Sequence, residues 1–211
     1  MAFDGLVIHN LKKELADSLI GGRINKIYQP EKDEIVLNVR CEKGAKKLFI
    51  SADPNYPRIH LTNESFENPD VPPLFCMILR KQIGGGKILS FSQEGSDRIV
   101  YINISSYNEL GDVTLKTLAV EIMSRHSNVV LFDENKKVTD SIKRVDFTLS
   151  SKRQLLPGLI YENPPGQNKL DFHSFSKDAL RDFLKDENEF PAGKLLRRGY
   201  DGGTPLLAGG G

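Results

Sequence analysis

The sequence predicts an α+β fold in which two antiparallel sheets pack together with helices at their ends. Two observations carry that prediction. Roughly nine short stretches between residues 23 and 145 read as strands, separated by turn residues at the spacing of an antiparallel meander. Two isolated stretches, 5–20 and 74–83, read instead as helices, each followed by glycines. Strands interrupted by single helices pack this way because every sheet must bury one of its faces.

The first helix is justified by Ile8, Leu11, Leu15 and Leu19, close to a 3.6-residue stripe, with Gly21-Gly22 as its stop. Asp4 is placed to accept the first free N–H groups as an N-cap. Strands follow at 23–29, 34–40, 46–52 and 58–62, connected by Pro30–Asp33, Glu42–Ala45 and Asp53–Pro57. The polar loop 63–72 ends in Pro72-Pro73, a suitable first turn for the helix Leu74–Ile83, which Gly84-Gly85-Gly86 terminates. Those glycines with Lys87 are not a phosphate loop, since they follow a helix instead of preceding one and the Gly-x-x-x-x-Gly-Lys order is missing. Arg80 and Lys81 lie on the last turn of that helix, where cations complement its dipole.

Strands at 88–93, 98–105, 114–123 and 128–133 come next, then one more at 138–145 after the hairpin turn Asp133–Lys137. The turn Glu94-Gly95-Ser96-Asp97 hands a charged pair onto one of them. Val100, Ile102 and Ile104 alternate with Ile99, Tyr101 and Asn103 as in a half-buried strand. Side chains alternate across a strand, so Asp97 and Arg98 point to opposite faces and do not neutralise each other. Arg98 shares the parity of Val100, which puts it either at the rim of a core in an edge ion pair or reaching toward something acidic outside. Ser124-Arg125-His126-Ser127-Asn128 is a polar break between strands that either orders its own turn or faces a nucleic acid. His126 and Glu121 lack the His-Glu-x-x-His spacing of a metal site, and His9, His60 and His173 are scattered, so no metal is expected.

A chain of 211 residues is long enough for one domain plus an appendage, and 29 basic against 28 acidic residues leave the question of a nucleic-acid partner open. Cys41 and Cys76 are too few for a disulfide framework, and Met1-Ala2-Phe3-Asp4 lacks the features of a signal peptide, so a cytoplasmic setting is expected. Ser176 and Lys194–Arg198 read as turns of short helices. No Ser/His/Asp or Cys/His set has local support, and no enzyme activity or cofactor is expected.

Several motifs in register resemble the N-terminal domain of the NFACT family. They are Phe3-Asp4-Gly5, Gly22–Pro30, Leu79-Arg80-Lys81, Asp97–Val100 and Glu121–Asn128, closing with Tyr161–Pro165. The resemblance implies a family domain over 1–168 and the start of a helical module over 169–211, here cut short by Gly209-Gly210-Gly211. It implies a fold similar to the N-terminal domain of formamidopyrimidine-type DNA glycosylases. Ala2-Phe3 stand where those enzymes carry Pro and Glu, so base excision by their route has no nucleophile. It further implies an RNA-binding part of a ribosome quality control factor. Such factors bind stalled large ribosomal subunits and recruit alanyl-tRNA for alanine tailing of nascent chains. Asp97, Arg98 and Asp4 are then family residues tied to RNA, with Arg80, Lys81, Arg125 and His126 as further tRNA contacts. Asp4 stays open between cap and contact. The family's older name implies fibronectin as a partner, hence a surface adhesin, and a nucleic-acid-processing enzyme is a third reading.

Overall fold

The computed structural model describes residues 5–94, 98–164, 170–171 and 200–201. Helix α1 spans Gly5–Leu19 and is followed by strands β1 (Arg23–Tyr28), β2 (Glu34–Cys41), β3 (Gly44–Ser51) and β4 (Arg58–Thr62). Helix α2 spans Leu74–Ile83 and is followed by β5 (Lys87–Ser92), β6 (Ile99–Tyr107), β7 (Val113–Glu121), β8 (Asn128–Asp133) and β9 (Val138–Ser141). The chain is thus two halves of one plan, a helix, a glycine stop and an antiparallel meander. Even the irregularity repeats: the ladder slips at Asn25 in β1 and at Leu89 in β5.

The halves join where their glycines meet. Ile24 N–H donates to Gly86 O at 2.9 Å and Ile88 N–H to Gly22 O at 2.9 Å, while Gly21 N–H reaches Ile88 O and Gly85 N–H reaches Ile24 O, both at 2.8 Å. Only a chain that turns sharply after each helix can set both pairs of groups face to face. Gly21 at φ 83° and Gly85 at φ 74° make those turns in the left-handed region. Gly22 and Gly86 give the close approach, since a Cβ on Gly86 would lie 2.8 Å from Ile104 Cγ2 and 3.0 Å from the carbonyls of Ile83 and Ser105.

This seam corrects the expectation of two separate sheets. The strands form one nine-stranded antiparallel sheet in the order β4-β3-β2-β1-β5-β6-β7-β8-β9. Periodicity counts strands but does not say which edges meet, and among the described residues Arg23 opposite Lys87 is the only register pair between the halves. The sheet curls about the seam, because Ser124 Oγ donates to Pro54 O at 3.3 Å and Lys143 Nζ bonds Ala52 O at 2.5 Å across strands far apart in the ladder. One core results, with Ile8, Leu15 and Leu19 of α1, Phe75, Cys76, Leu79 and Ile83 of α2, and apolar residues of both halves.

β6 is also more buried than a half-buried strand. Val100, Ile102 and Ile104 enter the helix-side core, whereas Ile99 and Tyr101 pack on the other face with Ala119, Val130, Phe132, Leu155 and Tyr161. That second face is covered by an irregular strap over 142–164, tied to the β8–β9 hairpin by the bridge Lys137 to Ile160 and closed on itself by the bridge Val145 to Leu155. Tyr200–Asp201 (β11), expected within a helical module, instead pairs in parallel with Leu170–Asp171 (β10). The helical turns read at Ser176 and Lys194–Arg198 lie outside the described residues, as does the rest of 172–199.

Gly86→Ala is expected to lower stability by about 1–3 kcal/mol, the range for forcing extra volume into a packed site. Urea unfolding would measure it, and an unchanged midpoint would show that the seam tolerates a side chain.

Candidate nucleic-acid interface

The end of the sheet where β6 and β8 begin and β7 finishes is built on a buried ion pair. Glu121, the last residue of β7, is 1% exposed and sits among apolar neighbours. A carboxylate there needs a partner. Arg153 supplies it from the strap with two bonds, Nη1 to Oε2 at 2.9 Å and Nη2 to Oε1 at 2.6 Å, and Tyr161 Oη donates to Oε1 at 2.8 Å. Arg153 Nε also donates to Glu162 O at 2.7 Å. Burial opposes the Arg153 charge, but the hydrogen bonds and charge of Glu121 outweigh it and raise its pKa. Burial first, and the Glu121 charge next, push the Tyr161 phenol far above its ordinary 10.0. The Tyr161 ring stacks on Phe132 at 4.4 Å and meets Tyr101 edge-on at 6.4 Å, and Tyr101 Oη donates to Asn163 Oδ1 at 2.9 Å.

Arg98 lies at the rim of this end, half-buried, and its carbonyl accepts from Ile122 N–H at 2.8 Å. Among the described residues its guanidinium makes no ion pair. Beyond Ile122 the chain turns through a short 3₁₀ segment, Ser124–His126, with Ser124 at φ 53°. Ser127, itself buried, holds this turn by accepting Met123 N–H at 2.8 Å. Asn128 ties it to the end of the following hairpin, donating to Lys143 O at 2.8 Å and accepting Lys143 N–H at 3.1 Å. The segment therefore orders its own turn through Ser and Asn. The same turn leaves Arg125 and His126 exposed, with Arg125 Nε donating to His126 Nε2 at 3.2 Å.

Lys143 closes this end against the first half, 3.8 Å from Asp33 Oδ2. Its burial lowers its pKa, opposed by the charges of Asp33 and Asp53. Neither Lys143 nor the Glu121–Arg153 pair was found by sequence reasoning. Val120-Glu121-Ile122 does signal a carboxylate within an apolar strand, but nothing local says that Arg153 answers it.

The other expected contacts lie elsewhere. Lys81 Nζ pairs with Glu109 Oε1 at 2.7 Å, both exposed, beyond the far end of β6 from Arg98. Strand rise puts roughly 30 Å between those ends. α2 is docked at that far end by Ser106 Oγ, which donates to Gln82 O at 2.8 Å. Arg80 is used to hold β1, with Nε donating to Ile27 O at 2.8 Å and the guanidinium 5.7 Å from the Tyr28 ring centroid. Asp4 and Asp97 lie outside the described residues. The structure thus brings together Arg98, Arg125 and His126, and separates Lys81 from them.

Fold and site define an α+β domain of two glycine-hinged halves on one sheet, with cations gathered at one braced end. The chain belongs to the NFACT family: the family described as NFACT N-terminal and middle domains matches residues 4–209. It is 41% identical over 212 residues to the Rqc2 homolog RqcH of Bacillus subtilis, covering 99% of this chain and 36% of that protein. It is 29% identical over 131 residues to the human ribosome quality control complex subunit NEMF, covering 62% of this chain and 11% of that protein. Among solved structures, the N-terminal domain of the fibronectin-binding protein PavA from Streptococcus pneumoniae superposes with a TM-score of 0.91 at 39% identity, covering 98% of this chain and 77% of that one. The chain spans about a third of the length of the bacterial relative. No helix among the described residues is long and apolar enough to cross a membrane.

Arg153→Met is expected to cost about 3–5 kcal/mol in chemical denaturation, because it strands the Glu121 charge in the core. A loss below 1 kcal/mol would mean that water reaches Glu121. Tyr161→Phe is expected to cost about 1.5–3 kcal/mol at pH 8, the worth of a hydrogen bond to a charged group. Because the folded phenol titrates above the unfolded one, its contribution is complete below pH 10 and is lost as the pH rises beyond it. Unfolding followed from pH 8 to 12 should therefore show a shallower alkaline loss in the Phe variant; parallel curves would contradict the assignment.

Proposed function

We propose that the braced end carrying Arg98, Arg125 and His126 binds tRNA, and that the chain is the RNA-binding part of a ribosome quality control factor without catalytic chemistry of its own. The observation that carries this reading is Arg98 itself, a guanidinium at the rim of a rigid core with no carboxylate partner among the described residues. An Arg so placed can bind a phosphate through two N–H groups or stack on an unstacked base. Arg125 adds a second exposed cation on the adjoining turn. The strap and the Glu121–Arg153 pair hold both in place, which lowers the ordering cost on binding.

Family membership supports the wider role, since relatives carry the names Rqc2 homolog RqcH and ribosome quality control complex subunit NEMF. In this reading the full-length factor engages a stalled large ribosomal subunit and recruits alanyl-tRNA so that the nascent chain receives an alanine tail. The setting is cytoplasmic. Fibronectin is the second reading, supported by the name of the structurally similar PavA domain.

The test is the affinity for bulk tRNA over a salt series, with immobilised fibronectin as a parallel arm and thermal melts as controls. Arg98→Ala and Arg125→Ala should each melt as the parent does and weaken tRNA binding about tenfold or more, as expected for a lost charge-assisted contact. Undiminished tRNA binding by Arg98→Ala would sink the assignment of this end. Binding to fibronectin but not to tRNA would favour the second reading.

A further inference from the structure

The outer face of the first half carries a second cationic surface that the braced end does not use. Lys26, Asn38 and Lys47 are register partners across β1, β2 and β3, and Arg40 follows on the same face two residues along β2. Together they line a cleft of about 530 Å³ whose one acidic lining residue is Glu42. Among the described residues none of Lys26, Arg40 and Lys47 is paired with a carboxylate. Lys47 Nζ donates only to the carbonyl of Glu64, at 2.8 Å. Arg23 stands directly opposite Arg40, and like charges facing across a ladder cost stability. In a chain with 29 basic and 28 acidic residues, such an uncompensated group is a local departure from balance.

We infer that this cleft is a contact for an RNA sugar–phosphate backbone, separate from the Arg98 end. A concave face on which cations outnumber carboxylates concentrates an anionic ligand. Lys, Arg and Asn side chains are the usual donors to phosphate oxygens. Lys26 and Lys47 are two strands apart, about 10 Å, which is wider than one phosphate and suits successive groups along a polymer. On the floor between them Asn38 Oδ1 is buried with no hydrogen-bond partner, an acceptor that a ribose hydroxyl can satisfy. The inference rests on the RNA-binding reading above but uses different residues, so the two are separable.

The experiment compares the parent chain, Lys26→Gln/Arg40→Gln/Lys47→Gln and Arg98→Ala for binding to bulk tRNA and to an RNA hairpin over a salt series. Polyglutamate and inorganic phosphate serve as competitors. The expected result is a cleft variant that melts normally and binds at least tenfold more weakly at low salt. Its dependence of log affinity on log salt should be shallower by about 2, from the lost phosphate contacts. A cleft variant with the parent's affinity and slope, beside an Arg98→Ala that loses binding, would overturn the cleft and leave the proposed function standing. No RNA binding by the parent chain would overturn both. Competition by polyglutamate or free phosphate as strong as by RNA at equal charge would overturn RNA as the occupant. If the triple variant melts early, the exposed Arg40→Gln replaces it, with a slope change of about 0.7–0.9 expected and no change overturning the inference.

Discussion

The reciprocal hydrogen bonds between the two glycine stops are the constraint on which the rest of the molecule depends. Gly21 and Gly22 bond the start of β5, and Gly85 and Gly86 bond the start of β1, so the turn that follows each helix is held against the other half's first strand. The halves cannot form separate layers once those bonds are made. They become one sheet that must curl to bury its apolar face, and the two helices fill the space it encloses. The curl then brings the β3–β4 connection to Ser124 and Lys143, which closes the end where Arg98 lies.

The second constraint is electrostatic. A buried ion pair is a costly way to join two elements, because the desolvation of both charges offsets much of their attraction. Here it joins an irregular strap to the outer face of β6–β8, where ladder pairing among the described residues is limited to the single bridge Lys137 to Ile160. Apolar contacts alone would let such a strap slide. The bidentate geometry of Arg153 on Glu121, with Tyr161 on the same oxygen, specifies one position. The stack of Tyr161 on Phe132 adds apolar area around it. The result is a rigid base under the 3₁₀ turn that displays Arg125 and His126.

These arrangements explain why net charge is a poor guide to partners in this chain. Carboxylates are paired at buried or part-buried positions with Arg153, Lys143 and Arg144, the last through Asp140, and on the surface with Lys81, while other cations on two surfaces stay uncompensated among the described residues. One surface is the end of β6 in the second half, and the other is the outer face of β1–β3 in the first.

Local physics made the elements legible in the sequence. The 3.6-residue stripe of α1, the Pro72-Pro73 and Gly84–Gly86 limits of α2, and the alternating strands with their turns all agree with the structure to within a few residues. The largest shift is in β9, which ends at Ser141 instead of Val145 because the chain there leaves the ladder for the strap, where Val145 pairs with Leu155. β3 starts two residues early, at Gly44, because Glu42-Lys43 suffices as a hairpin loop when Gly44 takes φ 107°. The family, too, was legible, because its motifs are short runs in fixed order. Pairings between distant residues were not. Gly22 and Gly86 read as two unrelated helix stops, and Glu121 drew notice only as a rejected metal candidate beside His126. Arg98, Arg80 and Lys81 read as one positive surface, although Arg80 binds β1 and Lys81 lies at the opposite end of β6. Spacing along a chain reports what each residue does to its own turn or strand. Which edges meet, which charge answers another, and which cations are left over depend on how the sheet closes, and that was decided only by the tertiary structure.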